Sequence, residues 1–282
     1  MWFVLALASS IVFGLSSFFM KYNSFRKWPL HPFLTGLYIS GTFSFTAAAI
    51  LEGTLSVTGS LLAAGLMVGA GSTFGNVLYM KALEYGPASL TSPLVNTNIL
   101  FIVLMSVLLY AEALTFMESI GIVLILASIS LLPLDPKERL TIPNRIWYVF
   151  VILAMILFFL RNGGLKITEE TGFENTPILL YAYLFGTLWS AVMWGKRRKV
   201  VEGDKTGRAF IWGLGTGIFS FGGMQLYALA LLSGPASIVS PLFATHALLV
   251  ALLSFLYLKE RITVMQFCIL AGVFAGIILL RV

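Results

Sequence analysis

Polar side chains inside long apolar stretches are costly unless they meet a partner or a wet cavity, so they mark where chemistry would sit. Ser72, Asn76 and Tyr79 recur at helical spacing in one such stretch, and Ser220, Met224 and Tyr227 repeat that spacing further on. Their amide and hydroxyl groups can hold a polar solute, or else bond a neighbouring helix. Asn96 and Asn98 occupy the middle of another apolar stretch, and Thr245 and His246 the middle of a fourth. His246 is either a wall group of a cavity or an imidazole satisfied by an adjacent helix, and its titration range would also suit a proton shuttle. Arg161 lies several residues inside an apolar run, followed by Asn162, Gly163 and Gly164. A guanidinium there either snorkels to the interface or faces a cavity, where it would hold a carboxylate or phosphate bidentately. The candidate substrate-binding residues are therefore Asn76, Tyr79, Asn98, Arg161, Asn162, Tyr227 and His246.

Enzymatic chemistry finds little to work with. The chain has no G-x-x-x-x-G-K-[ST] phosphate loop and no H-E-x-x-H metal site; its two histidines, His31 and His246, are far apart, and both aspartates, Asp135 and Asp204, lie in polar connections. Cys268 is the only cysteine, which leaves no intrachain disulfide and no thiolate metal site. No catalytic residue, metal or cofactor is expected.

The elements that must position these residues follow from composition. Hydrophobic residues make up 59% of the 282 and charged ones 11%, against roughly a quarter charged in soluble chains. Apolar stretches long enough to cross hydrocarbon recur throughout. They fall near 2–21, 32–51, 58–83, 87–110, 114–133, 146–167, 177–195, 208–232, 236–258 and 263–281. The expected fold is an all-α membrane protein of ten transmembrane helices. Met1 opens directly on an apolar run longer than a signal-peptide core, so the first segment is expected to persist as a helix.

A shift of 148 positions superimposes Tyr79 on Tyr227, Gly86-Pro87-Ala88-Ser89 on Gly234-Pro235-Ala236-Ser237, Ser92-Pro93-Leu94 on Ser240-Pro241-Leu242, and Glu112 on Glu260. Over Gly65 to Thr115 this register gives 23 identities in 51 ungapped positions, Gly, Pro, Ser, Thr, Tyr and Glu among them. Internal duplication is the better account than shared hydrophobicity. Upstream, a shift of 145 places Pro32 on Pro177, Tyr38 on Tyr183, Gly41 on Gly186, Thr42 on Thr187 and Lys21 on Lys166. The halves are read as residues 1–134 and 144–282, together one transport domain. Five helices per half make the second copy enter the membrane from the opposite side, an inverted repeat as in many secondary transporters. Gly65 and Gly69, matched by Gly213 and Gly217, with Gly75 matched by Gly223, read as faces for close helix approach.

Fifteen of the 18 Lys and Arg residues fall in or beside odd-numbered loops, all but Arg161, Lys166 and Arg281. The positive-inside rule then puts those loops in the cytoplasm and both termini outside. A formal net charge of +6 distributed in this way belongs to membrane loops, not to nucleic-acid binding.

The paired GPAS and SPL strings, with Leu108-Leu109-Tyr110-Ala111-Glu112-Ala113-Leu114-Thr115 and Leu256-Tyr257-Leu258-Lys259-Glu260-Arg261-Ile262-Thr263, resemble EamA-type members of the drug/metabolite transporter superfamily. The resemblance spans essentially the whole chain. It implies a ten-helix bundle around a central cavity lined by helices 1, 3, 4, 6, 8 and 9, and it names no substrate. Members are usually drawn with cytoplasmic termini, against the Lys and Arg distribution here.

The expected function is a secondary transporter of small polar metabolites, such as an amino-acid or metabolite exporter working by alternating access in the plasma membrane. A flippase for amphipathic or lipid-linked substrates and a non-transporting scaffold or sensor are the alternatives. The expected partners are a small-molecule substrate and the lipid bilayer; the oligomeric state is open, a monomer included. Pro93 and Pro241 read as helix-start or kink residues, and Glu112 and Glu260 as helix-end groups paired with loop bases.

Overall fold

The structure is a computed structural model that describes residues 1–85, 88–131, 145–197, 204–258 and 264–280. It is all-helical among those residues. In chain order the helices are α1 (Trp2–Phe25), α2 (Leu30–Leu51), α3 (Gly59–Tyr85), α4 (Ala88–Asn96), α5 (Asn98–Leu109), α6 (Phe116–Leu131), α7 (Ile146–Glu170), α8 (Asn175–Arg197), α9 (Asp204–Leu231), α10 (Ala236–Ala244), α11 (His246–Leu258) and α12 (Val264–Leu279). Seven spans among the described residues are long and apolar enough to cross a membrane: α1, α2, α3, α7, α8, α9, and α10 with α11 taken together. Leu94–Leu109 and Phe116–Ser128 are apolar but shorter. Large apolar side chains such as Ile11, Phe43, Leu108, Val123, Leu188 and Ile218 stay exposed on the bundle, which suits contact with lipid tails.

The expected fourth and ninth segments are each broken in the middle, which the sequence reading did not anticipate. α4 gives way to α5 at Thr97, and α10 to α11 at Thr245. Both breaks use the same local solution. The Thr97 amide reaches the Leu94 carbonyl at 3.2 Å and the Thr245 amide reaches Leu242 at 3.2 Å, i to i+3 bonds that tighten the turn. Each threonine hydroxyl bonds that same carbonyl at 2.6 Å. The next residue repeats the manoeuvre, Asn98 Nδ2 donating to Val95 at 2.7 Å and His246 Nδ1 meeting the Phe243 carbonyl at 2.8 Å. Back-bonding of this kind supplies partners for carbonyls that a bent helix would otherwise strand. Pro241, inside α10, adds a missing donor one turn earlier.

Packing follows the internal register. α1 packs on α9 as α3 packs on α7; α2 packs on α9 as α3 packs on α8; α2 meets α8, and α6 meets α12. At the α2–α8 contact the tyrosine rings of Tyr38 and Tyr183 stand edge to face at 5.5 Å, and the Thr42 and Thr187 hydroxyls bond at 3.0 Å. Gly41 lies beneath Tyr183 and Gly186 beneath Tyr38. Self-paired equivalents of this sort occur where a two-fold axis relates two copies of one motif.

The glycine faces make the close approaches expected of them. A Cβ on Gly213 would meet the Phe33 carbonyl, and one on Gly217 the Leu37 carbonyl; one on Gly69 would lie 2.9 Å from the Ala182 backbone. Gly215, two residues from each of Gly213 and Gly217, has open space around it. Gly213→Val is therefore expected to lower stability by about 1–3 kcal/mol through forced separation of α2 and α9. Gly215→Ala should leave thermal unfolding in detergent unchanged or raise stability by up to about 1 kcal/mol.

Candidate functional site

The first helix of each half supplies one phenylalanine at the same repeat position, Phe13 in α1 and Phe158 in α7. Phe13 packs on Gly223 and Phe158 on Gly75, so each ring is seated by a missing side chain on the partner helix. Between the two rings lies the guanidinium of Arg161, 4.5 Å from the Phe158 centroid and 5.3 Å from that of Phe13. Arg161 is 5% exposed, so it does not snorkel. The reason is local: Gly71 of α3 lets the two backbones touch, its absent Cβ lying 2.8 Å from the Arg161 amide, which holds this turn of α7 in the interior.

Among the described residues Arg161 makes one hydrogen bond, Nε donating to Asn162 Oδ1 at 2.9 Å. No carboxylate lies within ion-pair distance of it among the described residues. Stacking on two aromatic faces offsets part of the cost of burying the cation, and a good part remains.

A cavity adjoins it, lined by Phe13, Ser17, Met20, Asn76, Tyr79, Ser92, Val95, Asn96, Phe158, Arg161 and His246. Its volume is about 20 Å³, room for a water molecule and far too little for a metabolite. Four of the seven candidate residues meet there: Asn76, Tyr79, Arg161 and His246. Asn76 Nδ2 donates to Tyr38 Oη at 2.9 Å, Tyr79 bonds Ser92, and His246 stands edge-on to Phe13 at 5.2 Å. A carbonyl oxygen only accepts, so His246 Nδ1 carries the proton toward Phe243. Nε2 has no partner among the described residues.

The other three candidates lie behind the wall. Asn162 Nδ2 reaches Asn98 Oδ1 at 3.4 Å, and Asn98 in turn is tied to Val95, so these amides form a chain that orients Arg161. Tyr227 is fully buried, bonds Ser240 at 2.8 Å and packs on Phe243. Its repeat equivalent Tyr79 lines the cavity and Tyr227 does not, so the repeat register does not carry cavity position with it. Ser17, Ser92 and Asn96 were not among the candidates. Ser17 is the repeat counterpart of Asn162 and lies one residue from the Ser16 that matches Arg161, and that register could have pointed to it. Among the described residues no three His, Cys, Asp or Glu side chains converge as a metal site would need.

At one end of the bundle Glu112 closes a second polar cluster. Its carboxylate accepts the Ala236 amide at 2.9 Å and the Ser237 amide at 2.8 Å, capping α10, and lies 3.3 Å from Lys166 Nζ. Lys166 also pairs with Glu169 and Glu170. Glu112 thus pairs with a helical lysine and a helix N-terminus, which corrects the expectation of a loop base; Glu260 lies outside the described residues. Ala111 takes φ 51° to aim it, a left-handed conformation that alanine adopts at a cost. Beyond the opposite end of α3, a cavity of about 180 Å³ is bounded by Leu30, His31, Lys81, Glu84 and Trp194.

With the duplicated halves and the central polar cavity in view, a family model described as the EamA-like transporter family matches residues 1–134 and 145–282. The chain belongs to that family. Its members are transporters and not enzymes, and membrane transport is the activity that membership implies, with no substrate specified. Together with the apolar spans it makes the protein a multi-pass integral membrane protein. A crystal structure whose description names no function is similar over 99% of this chain and 95% of its own, with a TM-score of 0.78 at 15% identity; that likeness concerns the fold. No curated protein sequence matches the chain.

Burial pushes the Glu112 carboxyl up, but hydrogen bonds from Ser237 and Ala236 and the charge of Lys166 outweigh it and hold the group below the ordinary carboxylate range. Such a group contributes stability that is present above its unfolded pKa and is lost as pH falls through its lowered one. Glu112→Gln is expected to cost about 1–2 kcal/mol at neutral pH. It should also narrow the loss of thermal stability between about pH 7 and about pH 3, measured by melts in detergent; an unaltered pH dependence would count against the assignment.

Proposed function

We propose that this protein is a secondary transporter of small polar metabolites, amino acids among them, that exports its cargo by alternating access. The observation carrying this reading is the closed polar cavity at Arg161, flanked by equivalent phenylalanines from the two halves. A cavity of about 20 Å³ cannot hold a metabolite, so cargo enters only if the surrounding helices separate. In this reading the halves, residues 1–134 and 144–282, are inverted five-helix repeats making ten transmembrane helices and one transport domain. The paired packing of α1 on α9 and of α3 on α7 supports it. Rocking one half against the other would expose the cavity to each side in turn.

In this reading the odd loops lie in the cytoplasm and the termini outside, in a plasma membrane. Lys205→Cys in a Cys268→Ser background should react with an impermeant maleimide only after the membrane is opened; labelling in intact cells would reverse the orientation.

The purified protein reconstituted into liposomes should carry saturable, ATP-independent flux of a water-soluble solute, with counterflow when the solute is preloaded. A flippase-like cargo predicts lipid-analogue translocation without soluble flux, and a scaffold or sensor predicts neither. Either result would overturn this reading.

A further inference from the structure

Arg161 is a buried cation without a counter-charge among the described residues, and folding alone gives no reason to keep it. It is 5% exposed, bonded once to Asn162, stacked between Phe13 and Phe158, and bordered by the cavity. Both terminal guanidinium nitrogens have no hydrogen-bond partner among the described residues. A planar pair of donors left open in this way matches a carboxylate in two parallel bonds. The remaining lining groups, Ser17, Asn76, Tyr79, Ser92, Asn96 and His246, are neutral amides, hydroxyls and an imidazole that carries its proton on the far nitrogen.

We propose that the cavity binds cargo through a single carboxylate on Arg161, so that the transported class is small carboxylic acids, amino acids included. The proposal rests on the transport reading and narrows its substrate. One carboxylate neutralises one guanidinium. A phosphate dianion would leave a net negative charge in a low-dielectric site whose lining holds no second lysine or arginine. His246 lines the cavity, and its Nε2 would accept a hydrogen bond from a hydroxyl or ammonium elsewhere on the cargo.

The test uses the full chain, purified in detergent, in thermal unfolding with lactate, glutamine and propionate, with lactamide and propionamide as uncharged counterparts, and with inorganic phosphate, all at matched ionic strength. At least one carboxylate is expected to raise the unfolding temperature by several degrees where its amide does not. Arg161→Met should unfold at the same temperature as the parent or higher without ligand, since it removes an uncompensated buried charge. It should weaken carboxylate binding roughly thirtyfold or more, and Arg161→Lys should weaken it less. Stabilisation by amides alone, by phosphate alone or by none of the carboxylates overturns the proposal, as does a carboxylate response undiminished in Arg161→Met. If Arg161→Met does not fold, the Arg161→Lys response decides by the same criterion. Flux separates the two readings. Arg161-dependent carboxylate binding without flux in liposomes would sink transport and leave the carboxylate site. Flux of an uncharged solute that Arg161→Met leaves intact would do the reverse.

Discussion

Backbone amides and carbonyls in hydrocarbon have no water to bond, so every departure from regular helix must find its partners inside the protein. The breaks at Thr97 and Thr245 meet this requirement with side chains, the threonine hydroxyl and its successor each bonding a carbonyl three residues back. Neighbouring helices reinforce the arrangement. Ser10 of α1 bonds Thr245 at 2.7 Å, and at the equivalent place in the other half Met155 Sδ takes the Thr97 hydroxyl at 3.1 Å. Because the breaks are satisfied locally, the chain can turn Asn96 and His246 toward the cavity without leaving orphaned backbone groups. The site depends on this before it depends on any charge.

The two halves keep what holds them together and differ where the cavity is. Tyr38 bonds Ser72 as Tyr183 bonds Ser220, and Tyr79 bonds Ser92 as Tyr227 bonds Ser240. Phe13 and Phe158 match, and so do the glycines beneath them. Among the departures are Ser16 against Arg161, Ser17 against Asn162, and Asn98 against His246. They bring one cation, its orienting amides and one imidazole to a single region. A symmetric pair of arginines would place two like charges together in low dielectric, where repulsion adds to desolvation. One half carrying the charge and the other carrying serine avoids that cost, and it gives the cavity a polarity that a symmetric site would lack.

Much of this was legible in the chain. The register of 148 positions held because its identities include Gly, Pro, Ser and Tyr, residues tied to packing and turns that apolar drift does not reproduce. Gly69, Gly213 and Gly217 likewise announced their close contacts. The breaks in the fourth and ninth segments were hidden, since threonine is tolerated in helices and the signal, Pro93 and Pro241, lies four residues upstream. The depth of Arg161 was hidden as well: its long stem allows snorkelling, and what forbids it is Gly71 on a different helix. Tyr227 shares the repeat position of Tyr79, but it bonds Ser240, packs on Phe243 and does not line the cavity, surroundings that the register alone does not fix. The partner of Glu112 could not be read from sequence, because helix amides contributed by Ala236 and Ser237 carry no side-chain signature.

The cluster at Glu112 is a second place where the two halves are tied together. Glu112 touches α10 through two backbone amides and α7 through Lys166, so one carboxylate ties together the ends of elements from both halves. The side chains of Glu112 and Lys166 are only 12% and 5% exposed, so this pair is largely withdrawn from water. Lys166 has Glu169 and Glu170 as further partners, so loss of Glu112 would leave the lysine paired and the α10 amides without this acceptor. The glycine contacts of Gly213 and Gly217 with α2 are of another kind, backbone against backbone, with no solvent able to replace them. The two contacts therefore differ in kind, a charge-assisted cap at Glu112 and direct backbone packing at the glycine faces.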